Sequence, residues 1–335
     1  MEKDEFTKFK ESKEARSQCE SFNSFLDTLR EDMNIRSEDV QPSDGFWQHR
    51  PTIDFPPRAI RFPDDYNGEK NLNISCTQTD LTATQQKKLV TSWCEILPKL
   101  ESVKFIWFSS RTTQEMFDTV TKMKNVEGVY IKWSGIKSIE NIVNMPNLKY
   151  LHIGSTPSLS PLTPISKLNK LEWLELENIK ACSDLTFLEG MHHLKGLSIE
   201  GDGNSSKYIK ARSLEPLENL PNIYWLSLGA FMTEDGSLLP LSKMKSLKYL
   251  IISQKYKMEE VARLAGLRPD IECDAFDPIS SIYDIGCNKC NERKMVLPTG
   301  KGKPFLCTFC ETEKIEKHIK KFKSALSEHR FKVKK

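Results

Sequence analysis

The chain has 335 residues, 38% of them hydrophobic and 28% charged, and its formal net charge is +3. This composition allows a packed core with a soluble surface, and the small net charge excludes a molecule that is basic throughout. No apolar run reaches the ~18 residues of a membrane-spanning helix. The charged first residues carry no apolar signal segment, so a cytoplasmic, reducing location is expected.

The N-terminal part divides into an arm and a cap. Residues 1–45 place apolar side chains such as Phe22, Phe25 and Leu29 among many charges, which suits either a helix or a mobile arm. Residues 46–102 are predicted to form an N-terminal cap with one irregular repeat, because a repeat array must cover the open end of its core. Within this cap, Leu72–Ile74 predicts the end of a strand and residues 84–97 have helical spacing.

Residues 103–280 contain a repeat of the form apolar-x-x-apolar-x-apolar. Seven matches begin 22 to 29 residues apart, at Val103, Val126, Leu148, Leu171, Leu194, Ile223 and Leu247. Each match predicts a short strand with alternate side chains turned inward, and stacked coils pair such strands into a parallel sheet. The expected fold is therefore an α/β solenoid.

This pattern resembles the leucine-rich-repeat superfamily, in particular the short-repeat class that includes bacterial internalins and phosphatase-regulating repeat proteins. The segments that carry the resemblance are 148–153 with 161–168, 171–176 with 185–194, and 247–252. It covers about residues 100–255 and implies a parallel sheet on the concave face and a binding role.

Three details depart from or extend the repeat. The asparagine ladder of the family is sparse, with Asn178 as its best match, and residues 201–206 predict a loop insertion in the 29-residue step. After the last repeat, Met258–Leu267 predicts a helix and residues 271–276 predict a final edge strand.

Residues 281–335 contain two CxxC pairs, Cys287 with Cys290 and Cys307 with Cys310, separated by 16 residues. This spacing matches a four-cysteine zinc site, in which two tight turns aim four thiolates at one ion. Four protein ligands leave no open position, so a structural and not a catalytic Zn²⁺ is predicted. The segment resembles a zinc ribbon over about 25 residues; the alternative is four unrelated buried or redox thiols.

The C-terminal segment is basic. From Cys287 to Lys335 there are 14 Lys and Arg against 5 Asp and Glu, and Ile315, Ile319 and Phe322 recur at helical spacing. An amphipathic basic helix is predicted. Its lysines either face solvent or contact an acidic protein or nucleic acid.

Outward strand positions predict a candidate partner-binding face on the concave side. It consists of Phe105, Trp107, Tyr130, Tyr150, His152, Trp173, Glu175, Glu177, Trp225 and Tyr249. Exposed aromatic side chains are typical of interface hot spots. The alternative is that these rings pack on one another across strands and stabilise the sheet.

The sequence contains no convincing catalytic motif, so an enzyme is not expected. The leading hypothesis is a protein–protein interaction scaffold or adaptor that uses the concave face. Two alternatives are a nucleic-acid-associated factor that uses the zinc ribbon and the Lys-rich tail, and a substrate-recognition subunit of an enzyme complex.

Overall fold

The computed structural model describes residues 20–21, 23–25, 27–28, 47, 56–77, 80–202 and 207–330. Most of the predicted N-terminal arm and most of the predicted insertion at 201–206 lie outside the described residues. Contacts divide the chain into two compact units, one ending at Ala181 and the other beginning at Cys182. Each unit is described by itself.

The first unit contains six parallel strands that pair in chain order. They are β1 (Ala59–Ile60), β2 (Asn71–Ile74), β3 (Phe105–Phe108), β4 (Gly128–Ile131), β5 (Tyr150–Ile153) and β6 (Trp173–Glu177). Successive repeats are in register, so Ile106 lies beside Val129, Val129 beside Leu151, and Leu151 beside Leu174. All four side chains are buried, which confirms the inward positions of the repeat pattern.

The helices in the connections of the first unit become shorter after β2. Helix α1 (Ala83–Ile96) begins with a reciprocal capping box between Thr82 and Gln85, and α2 (Gln114–Val120) follows β3. A 3-10 helix at Leu97–Lys99 directly follows α1, and the remaining connections contain 3-10 helices at Pro63–Asp65, Glu140–Asn144 and Thr163–Lys167. A coil of 22 or 23 residues leaves little room for a longer helix beside its strand and turns.

The short edge strand β1 is covered by a residue from the N-terminal arm. The Asn23 side chain donates to the Ala59 carbonyl at 3.0 Å and accepts from the Ala59 N–H at 2.8 Å. This side chain thereby satisfies the backbone groups that a neighbouring strand would otherwise pair. The described residues between 20 and 28 are helical, in agreement with the helical option for this segment.

The second unit repeats the same coil. Its strands are β7 (Gly196–Glu200), β8 (Ile209–Ala211), β9 (Trp225–Leu228), β10 (Phe231–Thr233) and β11 (Tyr249–Ile252). Strands β7, β9 and β11 are parallel neighbours, whereas β8 and β10 form a separate parallel pair. The 29-residue step therefore adds a strand as well as a loop.

The later helices of the second unit agree in part with the sequence. Helix α3 spans Met258–Leu267 as predicted, and 3-10 helices lie at Thr186–Leu188, Glu215–Leu217, Leu239–Lys243 and Asp274–Phe276. The predicted edge strand at 271–276 is wrong. Only Glu272 forms a bridge, to Tyr249, and the Phe276 N–H then bonds the Cys273 carbonyl as the chain turns into the 3-10 helix.

In the turns after β5, β6 and β9, one residue adopts a left-handed backbone conformation. Asn178, Ser155 and Ala230 all have left-handed backbone angles, with φ of +51°, +45° and +45°. Asparagine tolerates this region better than most residues. The repeat thus keeps the turn conformation even where the predicted departure from an asparagine ladder occurs.

The C-terminal element packs on the end of the second unit. Strands β12 (Met295–Val296) and β13 (Leu306–Cys307) are antiparallel, and helix α4 spans Thr312–Arg330. Val296, Leu306 and Ile315 form its small core, with the predicted apolar face of α4 turned inward at Ile319 and Phe322.

The loop between β12 and β13 docks against the start of α3. The Lys301 N–H donates to the Tyr256 carbonyl at 2.7 Å, and the Gly300 N–H donates to the Gln254 side chain at 2.9 Å. Gly300 has a φ of +119°, and a Cβ there would lie 2.9 Å from the Met258 nitrogen. Only glycine fits this close approach. Among the described residues, no helix has both the length and the apolar character required to cross a membrane.

Candidate metal centre and binding surfaces

The four cysteines of the two CxxC turns lie together at the base of the β12–β13 hairpin. Their Sγ atoms all lie within 4.8 Å of one another, and those of Cys290 and Cys307 are 3.7 Å apart. Zinc–sulfur bonds of about 2.3 Å give a tetrahedron whose sulfur–sulfur edge is about 3.8 Å. The residues present therefore fit a four-coordinate metal ion.

Backbone donors orient the first thiol of each pair. The Lys289 N–H points at the Cys287 sulfur from 3.4 Å, and the Phe309 N–H points at the Cys307 sulfur from 3.5 Å. The Lys289 and Cys290 N–H groups lower the pKa of Cys287 to about 7. In contrast, the adjacent Cys290 sulfur raises the pKa of Cys310 to about 12. Four sulfurs this close cannot all ionise without a cation, because their charges repel.

Glu311 braces the second turn. Its carboxylate accepts from the Lys314 ammonium at 2.8 Å, from the Cys307 N–H at 3.2 Å and from the Lys289 ammonium at 3.3 Å. These partners, with Lys314 foremost, hold the pKa of Glu311 at about 2. The carboxylate is therefore ionised at neutral pH and ties the two CxxC turns to the start of α4.

Three cysteines away from this cluster have raised thiol pKa values because they are buried. Burial raises the pKa of Cys76 and of Cys273 to about 12, and it raises the pKa of Cys182 further. A thiol with so little thiolate at neutral pH is a poor nucleophile and a poor metal ligand.

The predicted partner-binding face is less accessible than the sequence suggests. None of its ten residues is exposed: Trp107, Trp173, Glu175 and Trp225 are buried, and the other six are half-buried. The expectation of exposed aromatics is therefore wrong. That these residues bind a partner stays a prediction.

Cross-strand ring packing accounts for much of this burial in the first unit. Tyr130 stacks on His152 with centroids 4.3 Å apart, and Phe105 stacks on Tyr150 at 5.9 Å. This is the alternative arrangement that the sequence left open. A further ring, that of Trp47, lies on Trp107 and Tyr130 from outside the repeats, with both centroid distances 5.4 Å.

A buried carboxylate organises the same face. Glu175 accepts from the Trp173 indole N–H at 2.8 Å, the Trp47 backbone N–H at 3.2 Å and His152 Nδ1 at 3.0 Å. Because a carboxylate only accepts, Nδ1 of His152 carries the proton. Glu175 and His152 were predicted from their strand positions, whereas Trp47 was not predicted.

In the second unit, the outward positions behave differently. Glu200 accepts hydrogen bonds from the Ser227 hydroxyl at 2.6 Å and the Ser198 hydroxyl at 3.1 Å. Ile251, at the next outward position after Tyr249, is 48% exposed. Apart from Trp225 and Tyr249, the outward side chains in this part of the sheet are thus not aromatic.

A surface that the sequence did not single out lies on the cysteine element. Five large apolar side chains are exposed there, which we call the apolar patch: Ile282, Tyr283, Ile285, Phe305 and Phe309. The rings of Tyr283 and Phe305 meet edge to face at 5.2 Å, and Lys294 lies over the Phe309 ring at 5.7 Å. Strand periodicity could not reveal this patch, because none of its five residues lies in β12 or β13.

Comparison with known proteins yields similarity in structure alone. No family model matches the sequence, and no curated protein matches it. Among solved structures, the chain is similar to internalin C2 of Listeria monocytogenes at 20% identity and a TM-score of 0.41, over 53% of this chain and 72% of the internalin.

Two further solved structures have similar values. An internalin F of Listeria monocytogenes is 15% identical with a TM-score of 0.35, over 60% of this chain and 71% of its own. A leucine-rich-repeat protein of Leptospira interrogans is 14% identical with a TM-score of 0.46, over 64% of this chain and 57% of its own. At these TM-scores an alignment does not establish a relationship, so the repeat fold rests on the strand register and spacing described above.

Proposed function

We propose that this chain is a non-catalytic protein-interaction scaffold that docks a protein partner through the apolar patch of its C-terminal cysteine element. The observation that carries the proposal is the exposure of that patch. Ile282 is 61% exposed and Phe309 is 58% exposed, in an element whose own core is only a few residues. Clustered exposed apolar side chains mark interaction sites, and aromatic anchors dominate their binding energy.

The charge of the element favours a protein partner over nucleic acid. Residues 281–311 contain five Lys and Arg and three Asp and Glu. Four thiolates around a Zn²⁺ ion add a net charge of −2, so the loaded element is neutral. A neutral surface releases few counterions from a phosphate backbone and gains little affinity for it.

A structural Zn²⁺ held by Cys287, Cys290, Cys307 and Cys310 supports the patch. Phe309 lies inside the second CxxC turn, and Phe305 directly precedes β13, which ends at Cys307. An ion that fixes the two turns also fixes the backbone that carries these rings. Because four protein sulfurs complete the coordination, the ion has no open position at which to activate water or substrate.

Nucleic acid binding through α4 is the second candidate function. Lys317, Lys320 and Lys323 are exposed on this helix, whereas Lys314 and Lys321 are engaged by Glu311 and Glu259. If this candidate is correct, a fluorescent single-stranded oligonucleotide will bind and lose affinity steeply between 50 and 200 mM salt. A substrate-recognition subunit would use the apolar patch in the same way as an adaptor, with its enzyme as the captured partner.

The experiment that tests the scaffold is affinity capture with three matched baits. The baits are the wild-type chain, the Ile282→Ser/Phe309→Ser variant, and Ile251→Ser as the control, which removes an exposed isoleucine from β11 instead. We expect a stoichiometric protein that cross-links to Lys289 or Lys294, is retained by the control and is lost from the double variant. A captured protein that binds all three baits equally would contradict docking at the patch.

A further inference from the structure

The outer face of β3–β6 holds a tryptophan that does not belong to any repeat. Trp47 is fully buried, and its ring meets Trp107 edge to face at an interplanar angle of 83°. It also lies 5.4 Å from the Tyr130 ring. One side chain from before the first strand thus packs on rings from two successive strands, β3 and β4.

The recess for this ring exists because one outward position lacks a side chain. Phe105, Gly128 and Tyr150 are register neighbours on β3, β4 and β5. A Cβ on Gly128 would lie 2.5 Å from the Phe105 ring and 3.2 Å from the Trp47 ring. Gly128 therefore separates the aromatic side chains of Phe105 and Tyr150 and leaves space that the Phe105 and Trp47 rings share.

The recess also binds the main chain of its occupant. Glu175 accepts the Trp47 backbone N–H, while Trp173 and His152 on the sheet donate to the same carboxylate. The two sheet donors hold the carboxylate through contacts that do not involve Trp47. A charged acceptor in a buried site makes a stronger hydrogen bond than a neutral one. The recess therefore favours a ligand whose backbone N–H can donate to Glu175.

The walls of the recess do not depend on Trp47 for their backbone structure. Strands β3 to β6 pair with each other along their length, and their inward residues Ile106, Val129 and Leu174 are buried in the repeat core. The site is thus built by the sheet, and Trp47 fills it.

We propose that this recess is a tryptophan-recognition site, occupied in cis by Trp47, and that a partner presenting a tryptophan binds by displacing Trp47. This site is separate from the apolar patch and does not rest on the scaffold function assigned to that patch. A tethered ligand has a high effective concentration, so the intact chain masks the site from weak ligands in trans. Removing the Trp47 side chain should therefore uncover it.

The test is a titration of a peptide of residues 42–53, with 5-fluorotryptophan in place of its tryptophan, into the full Trp47→Ala chain. Fluorine NMR of the peptide reports binding without signal from the protein. We expect saturable binding to Trp47→Ala and binding at least about tenfold weaker to the wild-type chain, because Trp47 competes there. The same peptide with alanine in place of tryptophan should not displace the labelled one.

Two second-site variants distinguish specific recognition of the peptide from nonspecific binding. In the Trp47→Ala background, Glu175→Ala should weaken the peptide about tenfold or more, because the N–H loses a buried charged acceptor. Glu200→Gln, which alters a carboxylate of β7 in the other unit, should leave the affinity unchanged. Equal binding to the Glu175→Ala and Glu200→Gln chains would overturn the assignment.

A conservative variant covers the possibility that Trp47→Ala does not fold. Trp47→Phe keeps a ring in the recess but fills it less completely, so the peptide should still bind more tightly than to the wild-type chain. Failure of the peptide to bind any folded Trp47 variant would overturn the proposal. A wild-type dimer that Trp47→Ala converts to a monomer would also overturn the cis assignment, because the occupant would then come from a second copy.

Discussion

The sulfur atoms of Cys290 and Cys307 lie 3.7 Å apart, close to the edge of a zinc tetrathiolate, although they belong to different CxxC turns. The distance matters because one turn alone cannot set it. It depends on the antiparallel pairing of β12 with β13, which places Met295 opposite Cys307. It also depends on the Tyr283–Met295 bridge, whose residues lie before and after the first turn. The spacing of the sulfur atoms is therefore set by the pairing of the hairpin and of the segment before it.

The first prediction concerns metal content. The purified chain should contain about one zinc per molecule by elemental analysis, and Cys307→Ser should lose most of it, because three remaining thiolates bind far more weakly. Chelation and Cys307→Ser should both lower the melting temperature, since α4 and the hairpin share the small core around Val296 and Leu306. Cys94→Ser, a half-buried thiol of α1, is the control and should keep the metal. A purified wild-type chain that contains no metal, and whose melting temperature neither chelation nor Cys307→Ser lowers, would refute the site.

The second prediction concerns Glu175, whose carboxylate receives three N–H groups. Glu175→Ala should destabilise the chain by about 1–3 kcal/mol, because buried donors lose their acceptor. Glu175→Gln should cost less than about 1 kcal/mol, because its carbonyl can replace Oε1, which accepts both tryptophan N–H groups. Chemical denaturation followed by circular dichroism measures the difference. Equal losses in the two variants would mean that the charge itself, rather than acceptor capacity, stabilises the face.

The sequence predicts the cysteine cluster and the face around Glu175 to different extents. The CxxC spacing predicts the cluster of four cysteines that the structure contains, because two tight turns bring four thiols to one point. The repeat pattern specifies the inward residues Ile106, Val129 and Leu151 and the outward direction of their neighbours, but it does not specify what lies on the outward side. Trp47 covers Trp107 from a segment without repeat periodicity. The one available signal was Gly128, which interrupts a row of outward aromatics.

The predicted edge strand at 271–276 is wrong for a related reason. Its composition suits a strand, and Glu272 does bridge Tyr249. Pairing stops there because the chain must turn toward the cysteine element, and the turn closes as a 3-10 helix at Asp274–Phe276. Local strand propensity does not specify the path of the chain when packing of a distant element determines it.

The third prediction tests the inward and outward assignment of the repeats. Leu226 on β9 is fully buried, so Leu226→Ala should cost about 2–5 kcal/mol of unfolding free energy. Ile251→Ala, on β11 but 48% exposed, should change stability by less than about 0.5 kcal/mol. Urea denaturation of both variants provides the comparison. A small loss at Leu226 would mean that this coil contributes little to the cooperative core.

The last prediction concerns the ion pair between α3 and α4. Lys321 donates to Glu259 at 2.7 Å and, as the main cause, lowers the pKa of that carboxyl. A depressed carboxyl pKa contributes stability above the pKa of the unfolded chain, and the contribution disappears as the pH falls through the lower pKa of the folded chain.

Lys321→Ala should therefore destabilise the chain at pH 7, by no more than about 0.5–1 kcal/mol because both side chains are exposed. Once the pH has fallen below the lowered pKa and Glu259 is protonated, the variant and the parent should unfold alike. Metal release in acid would obscure the comparison, so the Cys307→Ser background supplies the control: the same pH dependence there assigns the effect to the ion pair. A loss that is equally large at pH 7 and below the lowered pKa would instead mean that the alkyl chain of Lys321 packs on α3, and that the charge contributes nothing.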